Sequence, residues 1–549
     1  MLKSGTAASS GMLAPLRAVG PAAWLGVLGV CALCAALRWN SLDAPLVRDE
    51  GEYAYAAQIL RSGQLPYEHA FLQKPPMIVY TYAAAHALAP RTFWVPRVLA
   101  GLFGALAAGL LGWIACLEFG PGLALPAMWL VTPMLLGPGL EQFTANTEMF
   151  LVLPLLGAFA VYAASRHGRA GAGAWFLAGL LAAVAFWYKY IALPVLALLF
   201  VVWTIEEVWR PRFALQAPGS KFHPSRLIRR WLLLALGAGL ASLAALAPFL
   251  IGDGCRRLWE CTVTFNRFYR ASATFGWSGL LACAHLFWVQ WWILFLLPAV
   301  LVFRPRPRPW FWIAVFLTAW VSTGASVFGQ YYLLVMPFWA LLAALAIREL
   351  ASLAAAGLRL PPQWVRLVFT AAVVLVVCVP DLPWITCTRQ EFAAGKAAGG
   401  NAFIESQAVA RRLAELTAPG DPVFVAGSEP QILFYANRLS STRFVILYPL
   451  LIPTPLAPRF QAEAMRDLER RPPAAIVLAQ SPLSWLAQKG SPPGFLQFLD
   501  KLLAQDYERV GAWVADARGG RWEEPLPDQD RADASLVLFR RKALPTRHY

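Results

Sequence analysis

About eleven apolar runs, most close to the ~17–25 residues that a bilayer crossing needs, dominate this chain. They fall near residues 21–38, 97–117, 121–138, 149–165, 171–188, 191–208, 231–251, 281–302, 309–328, 331–347 and 364–380. Only 14% of the 549 residues are charged and 58% are hydrophobic, so the polar surface of a soluble protein of this length is missing. The fold class expected is an α-helical polytopic membrane protein. The first run is long enough to span, so it reads as a retained helix, with Lys3 and Arg17 holding the N-terminus inside. Met77–Ala89 differs from the rest: it is short, carries His86, and reads as re-entrant or interfacial.

The formal charge of +16 could suggest a nucleic-acid partner, but its distribution excludes one. The cations collect in short loops between spans: Arg166 and Arg169; Arg210, Arg212, Lys221, Arg226, Arg229 and Arg230; Arg304, Arg306 and Arg308; Arg348, Arg359 and Arg366. Under the positive-inside rule these loops are cytoplasmic. Eleven spans then put everything after Pro380 outside. The loop at Asp49, the stretch Glu141–Glu148, Lys189, the loop Asp253–Trp277 and Gln330 share that external face. The eight cysteines show no metal spacing; Cys255 and Cys261 share one external loop, where a disulfide is one option.

From residue 381 onward charges, prolines and turn signals return. Residues 422–426, 474–478 and 535–539 read as buried strands, and 405–417 and 493–505 as helices, so residues 381–549 are expected to form an α/β domain after a 1–380 membrane domain.

Chemistry concentrates in the first external loop, 39–76, which carries Asp49-Glu50-Gly51-Glu52 and then Lys74-Pro75-Pro76. Residues 53–60 after the acids read as an amphipathic helix lying on the bilayer. A carboxylate at a membrane surface can take a proton from an attacking hydroxyl. Asp49 and Glu52 also have the spacing of a helix capping box, and both roles are compatible. Lys74, on stiff extended backbone, could bind a lipid phosphate as a point charge or snorkel to the interface. Glu148 fits either a site or a helix N-terminus capped by Asn146 or Thr147. Lys189, between two tightly joined spans, defaults to a functional reading. The loop holding Asn266, Arg267 and Tyr269, ending at Arg270, could grip a sugar and a phosphate or form an aromatic belt. No phosphate loop, zinc-type His-Glu-x-x-His or dinucleotide fingerprint occurs, which argues against an ATP-driven pump and a nicotinamide enzyme. The outward-facing residues argue against a soluble nucleotide-sugar donor.

The Asp-Glu pair followed by Tyr53, with Lys-Pro-Pro ahead of a short apolar segment, resembles the dolichyl-phosphate-mannose–protein mannosyltransferase superfamily. It is more closely similar to the bacterial branch that includes the lipid A aminoarabinose transferases. The resemblance covers about the first 350 residues. It implies a GT-C fold, a bacterial inner-membrane location with the C-terminal domain in the periplasm, a polyprenyl-phosphate-sugar donor, and a lipid, glycan or protein acceptor. Carried over by position, Asp49 matches the catalytic acid, Glu50 its partner, and Lys74 the lysine that meets the lipid phosphate. Glu148 falls where the family carries an acid near the active site, and Lys189 and Asn266-Arg267 lie where members often keep polar residues; these, with Tyr269 and Gln330, are the substrate-binding residues expected. Two departures matter: Gln330 stands where the family usually has His, and Gln73 stands where the aminoarabinose transferases have a Glu that helps hold a metal. No metal or other cofactor is therefore expected. A flippase of lipid-linked saccharides and an oligosaccharide polymerase or ligase are the competing readings.

Overall fold

The computed structural model describes residues 21–140, 142–171, 173–213, 224–269, 277–302, 307–324, 326, 328–397, 402–514, 520–524 and 534–543. Lys3, Arg17, Glu141, Lys221, Arg270, Arg304 and Arg306 lie outside the described residues, as do the side chains of Arg210, Arg212 and Arg308. The chain divides into two compact units. One comprises Met1–Trp39, Leu99–Ala245 and Phe275–Thr386, the other Asn40–Val98, Leu246–Thr274 and Cys387–Tyr549.

Among the described residues, eight helices are long and apolar enough to cross a membrane. Three shorter apolar helices, Pro121–Leu136, Gly173–Tyr188 and Pro309–Ser322, fall on further predicted spans, so each predicted span coincides with a helix over most of its length. The helix Met77–Leu88 has 12 residues. At 1.5 Å per residue that is about 18 Å, short of a ~30 Å hydrocarbon core. One predicted boundary is displaced. The span placed at 331–347 begins as a 3₁₀ turn, Gly329–Leu334, and its α-helix runs Met336–Leu358. Pro337 in the first turn favours a helix start there. Arg348 and Glu349 pair with each other at 3.1 Å, so these charges do not end the helix. The following Arg359 takes the left-handed conformation at its C-cap.

In the first unit the helix Thr147–Arg166 is the most enclosed, with 17 of its 20 residues buried. Helices Gly173–Tyr188 and Pro224–Leu246 cross at glycine. A Cβ on Gly179 would lie 2.1 Å from the Leu234 carbonyl oxygen, and one on Gly237 2.0 Å from that of Phe176. Small residues that let helix backbones approach are how apolar helices pack where lipid competes for their surface. Large apolar side chains such as Leu232, Leu236, Leu240 and Leu243 stay exposed on the second of these helices, as a lipid-facing surface requires.

The second unit contains a six-stranded sheet. Its strands are β1 (Pro422–Ala426), β2 (Leu439–Ser440), β3 (Ala475–Ala479), β4 (Tyr507–Val514), β5 (Arg521–Glu523) and β6 (Ala534–Arg541), in the order β2-β1-β3-β6-β4-β5. β2, β1 and β3 are parallel, while β6 runs antiparallel to both β3 and β4, and β5 antiparallel to β4. Helices Glu405–Leu416 and Gly494–Asp506 accompany the sheet close to their predicted positions.

The same unit holds the helix Arg48–Arg61. It is not the surface amphipath expected from its sequence, because nine of its 14 residues are buried, Glu50 and Glu52 among them. It packs on the helix Pro430–Ala436. Contact is so close at Gly51 that a Cβ there would meet the Gln431 nitrogen at 2.6 Å.

Candidate functional site

The three acids that follow Arg48 have three different environments. The helix begins at Arg48 with Val47 as its N-cap, so Asp49 lies inside the first turn. The acid that reaches back to the cap is Glu50, whose Oε2 accepts the Val47 N–H at 3.2 Å. The expected Asp49–Glu52 capping box is therefore shifted by two residues. A cap needs its partner at the third helical position, and Glu50 occupies it. Glu50 is fully buried against Arg97, which donates from Nε to Oε1 at 2.9 Å and from Nη2 to Oε2 at 2.5 Å. The guanidinium also donates to the carbonyls of Ser41, Ala44 and Pro45. One fork thus fixes the loop before the helix and the first turn together. A buried charge stripped of such a partner costs roughly 3–5 kcal/mol, so the pair is a structural commitment.

Lys74 takes the other two acids. Its Nζ lies 3.5 Å from Asp49 Oδ1 and 3.6 Å from Glu52 Oε2. Glu52 is 1% exposed and Asp49 28% exposed, so Asp49 is the member of the trio open to solvent. Burial raises the Glu52 carboxyl to about 7, only partly offset by the Lys74 charge. Burial pulls Lys74 the other way, but Asp49, Tyr53 and Glu52 together hold its ammonium well above the ordinary lysine range. The site is thus a cation that stays charged, one accessible carboxylate, and one carboxyl near its titration midpoint at neutral pH.

The loop that presents Lys74 is fixed from several directions. Tyr67 adopts φ 70°, a left-handed conformation uncommon for a bulky side chain, and its hydroxyl donates to the Lys74 carbonyl at 2.8 Å. Asn266 Nδ2 donates to the Gln73 carbonyl at 2.8 Å and to the Thr262 carbonyl at 2.8 Å. The Gln73 side-chain amide donates to the Tyr448 hydroxyl. Tyr448 is buried, which pushes its phenol well up, and its ring centroid lies 6.1 Å from that of Tyr269. Asn266, Arg267 and Tyr269 lie on the short helix Phe265–Tyr269, which continues from a π-helical turn, Glu260–Thr264. Asn266 and Tyr269 face this loop, whereas Arg267 is exposed. Irregular turns of this kind recur at functional sites.

Arg443 joins these parts. Its guanidinium donates to Glu260 and Glu463 at 2.8 Å each and lies 4.6 to 5.4 Å from the rings of Phe444, Phe71 and Phe460. Its carbonyl accepts the Phe71 N–H at 2.6 Å. Reading the sequence missed Arg97, Arg443, Tyr448 and Glu260. Arg97 carried a usable signal, an ionisable residue at the start of an apolar span, which demands a partner. Arg443 carried none, since its partners lie some 180 and 370 residues away in sequence, in Glu260 and Phe71.

The remaining predicted residues belong to the first unit. Lys189 is ion-paired with Glu148, and Thr147 Oγ1 donates to Glu148 Oε2 at 2.7 Å. No side-chain hydrogen bond caps the helix N-terminus at Asn146, so Glu148 is held by Lys189 rather than spent on capping. The Lys189 ammonium also sits 3.3 Å from the centroid of the Tyr331 ring, next in sequence to the buried Gln330. Cys255 and Cys261 are both free thiols, one exposed and the other buried beside Arg443. Among the described residues no group of three or more His, Cys, Asp or Glu side chains could hold a metal ion.

No protein-family model matches this sequence, and no curated protein matches it. Its structure is similar to that of ArnT from Cupriavidus metallidurans bound to undecaprenyl phosphate. The TM-score is 0.56 with 16% sequence identity, over 94% of this chain and 98% of that one. It is also similar to ArnT from the same organism in the apo state, with a TM-score of 0.52 and 15% identity over the same shares. The chain therefore has the GT-C fold of a polytopic membrane protein with a C-terminal domain.

Proposed function

We propose that this chain is an integral-membrane glycosyltransferase that moves one sugar from a polyprenyl-phosphate donor to a hydroxyl of a lipid, glycan or protein acceptor on the external face of the bacterial inner membrane. The observation that carries this reading is Lys74 held between the accessible Asp49 and the buried Glu52. A lysine kept charged in a largely dehydrated site is suited to the negative charge that grows on a departing phosphate. The ArnT structure that shares this fold holds undecaprenyl phosphate, which supports a lipid phosphate as the donor's leaving group.

In this reading the acceptor oxygen bonds to the anomeric carbon as the bond from that carbon to the phosphate oxygen breaks. The electron pair leaves with the lipid phosphate, the acceptor proton passes to Asp49, and the anomeric centre inverts. Lys74 would exchange its bond to Asp49 for the phosphate, freeing the carboxylate as the substrate arrives. Glu50, held by Arg97, and Asn266, bonded to the Gln73 carbonyl, would be positioning residues. Arg267 and Tyr269 would contact the donor head group, and Glu148, Lys189 and Gln330 of the first unit would bind sugar or phosphate. Residues 381–549 would form the periplasmic domain.

Loss of the base should cost about 10²–10⁴-fold in rate, the usual worth of general-base catalysis. A deletion strain complemented with wild type or Asp49→Asn, followed by mass spectrometry of its glycolipids and periplasmic glycans, tests the reading. The expected result is a missing single-sugar increment restored by wild type only. Full restoration by an equally expressed Asp49→Asn would sink it, and lipid-linked saccharide trapped in the deletion strain beside an unchanged glycan profile would favour a flippase.

A further inference from the structure

A polar cavity of about 240 Å³ opens in the unit that holds the sheet, and neither Asp49, Glu52 nor Lys74 lines it. Two of its walls come from elements already described. Tyr55 and Ile59 contribute from the helix Arg48–Arg61, on positions roughly 120° and 80° round the axis from Asp49. Glu68 and His69 contribute from the turn that begins at the left-handed Tyr67. The third wall is the stretch Leu439–Arg443 with Glu463, Asp467 and Arg471.

The lining selects against a lipid tail, because Ile59 and Leu439 are its only aliphatic members. It also selects against a phosphate. The interior cations Arg443 and Arg257 are already committed to Glu463, at 2.8 and 3.1 Å. The remaining cation, Arg471, shares the lining with Glu68 and Asp467, so no net positive charge is left over. The uncharged polar lining is Tyr55, Gln64, His69 and three successive hydroxyl residues, Ser440, Ser441 and Thr442. Thr442 donates to Asp467 at 3.0 Å. The Ser441 hydroxyl has no hydrogen-bond partner although the residue is only 7% exposed. A buried hydroxyl left without a partner is uncommon and points to a missing ligand group. Burial raises the Asp467 carboxyl above its usual value. The volume lies below the roughly 300–1,000 Å³ of drug-sized ligand sites, which suits one ring rather than a chain.

We infer that this cavity is a saccharide subsite that takes one uncharged sugar ring, bound through the 440–442 hydroxyls and the Glu68 and Asp467 carboxyls. Under the glycosyl-transfer reading, on which this assignment rests, that ring belongs to the acceptor. The cavity also has a route to the reacting lysine. Glu68 and His69 follow Tyr67, whose hydroxyl holds the Lys74 carbonyl, and Arg443 reaches the Tyr67 carbonyl at 3.4 Å. A ring seated in the cavity would press on the turn that carries the Lys74 loop.

Saturation-transfer NMR on the full-length protein in lipid nanodiscs tests this with the methyl α-glycosides of glucose, mannose, galactose and N-acetylglucosamine as probes. At least one glycoside should show saturation transfer. Its affinity should fall about fivefold in Ser441→Ala and again in Glu68→Ala, each removing one hydrogen-bonding group, and stay unchanged in Gly109→Ala, where an added methyl meets no neighbour. Saturation by none of the four would overturn the inference, as would displacement by inorganic phosphate or wild-type affinity in both cavity variants. The readout requires no turnover, so it separates a failed subsite from a failed transferase. Glycoside binding that survives alongside an active Asp49→Asn strain would keep the cavity and discard the reaction.

Discussion

Glu52 lies beside Lys74 with 1% of its side chain exposed, and burial lifts its carboxyl from 4.5 to about 7. The folded protein therefore holds a proton that the unfolded chain releases between those two values. Stability from this group is present in full below pH 4.5 and is lost as pH rises towards 7, the reverse of a salt-bridged carboxylate. The span of the shift corresponds to on the order of 3 kcal/mol. Glu52→Gln removes the titration, so the variant should melt higher than wild type at pH 8 and equal to it at pH 4.5. Thermal unfolding in detergent at those two pH values measures the difference, and a gap that widens toward acid would contradict the assignment. Residue chemistry of this kind was half legible in the sequence. The cluster at 49–52 and Lys74 were marked as the place for chemistry, but the division of labour among the acids was not. Whether an acid caps, pairs or reacts depends on which neighbour faces it, and Arg97 and Lys74 are set by tertiary packing rather than by spacing along the helix.

At the scale of elements, the helix Arg48–Arg61 depends on a close approach that one glycine permits. A methyl group on Gly51 would lie 2.6 Å from a backbone nitrogen of the helix Pro430–Ala436, and backbone cannot step aside as a flexible side chain can. The overpacking costs about 1–3 kcal/mol, against roughly 1 kcal/mol gained from alanine's helix propensity. Gly51→Ala should therefore lower the melting temperature and the transfer rate together. Gly109, in the helix Trp94–Phe119, has nothing within 4 Å of its Cβ position, and Gly109→Ala should be neutral or stabilising in the same assay. If both substitutions behave alike, the packing explanation fails. Elements were the most legible level of this protein. Apolar runs of span length became helices because hydrocarbon leaves a helix as the way to satisfy the backbone. The buried runs at β1, β3 and β6 were found because strands covered on both faces read as continuous apolar stretches. β2, β4 and β5 were missed: the two-residue β2 and the three-residue β5 are too short to establish a period, and the eight-residue β4 breaks its alternation at a bulge between Arg509 and Gly511.

For the whole molecule, the consequential feature is that one compact unit is assembled from three distant stretches of chain, 40–98, 246–274 and 387–549. A chain ended after Thr386 would lose the Ser428 carbonyl that accepts from Arg48, the Gln431 surface under Gly51 and the Arg443 carbonyl that accepts from Phe71. Losing a few kcal/mol of local support raises the open population on the order of a hundredfold, and proteolysis follows that population. Trypsin should therefore cut after Arg48 about a hundredfold faster in the shortened chain than in the full one, and equal rates would show that the helix stands without its partner. The arrangement also sets a clock. Arg443 is translated about 370 residues after Lys74. At ~5–20 residues per second the ribosome needs roughly 20–75 s to cover that interval. For that time a nascent chain carries its lysine and acids through the membrane without the segment that fastens their loop. The transferase reading then implies that a half-made chain meets the lipid donor while still unable to turn it over.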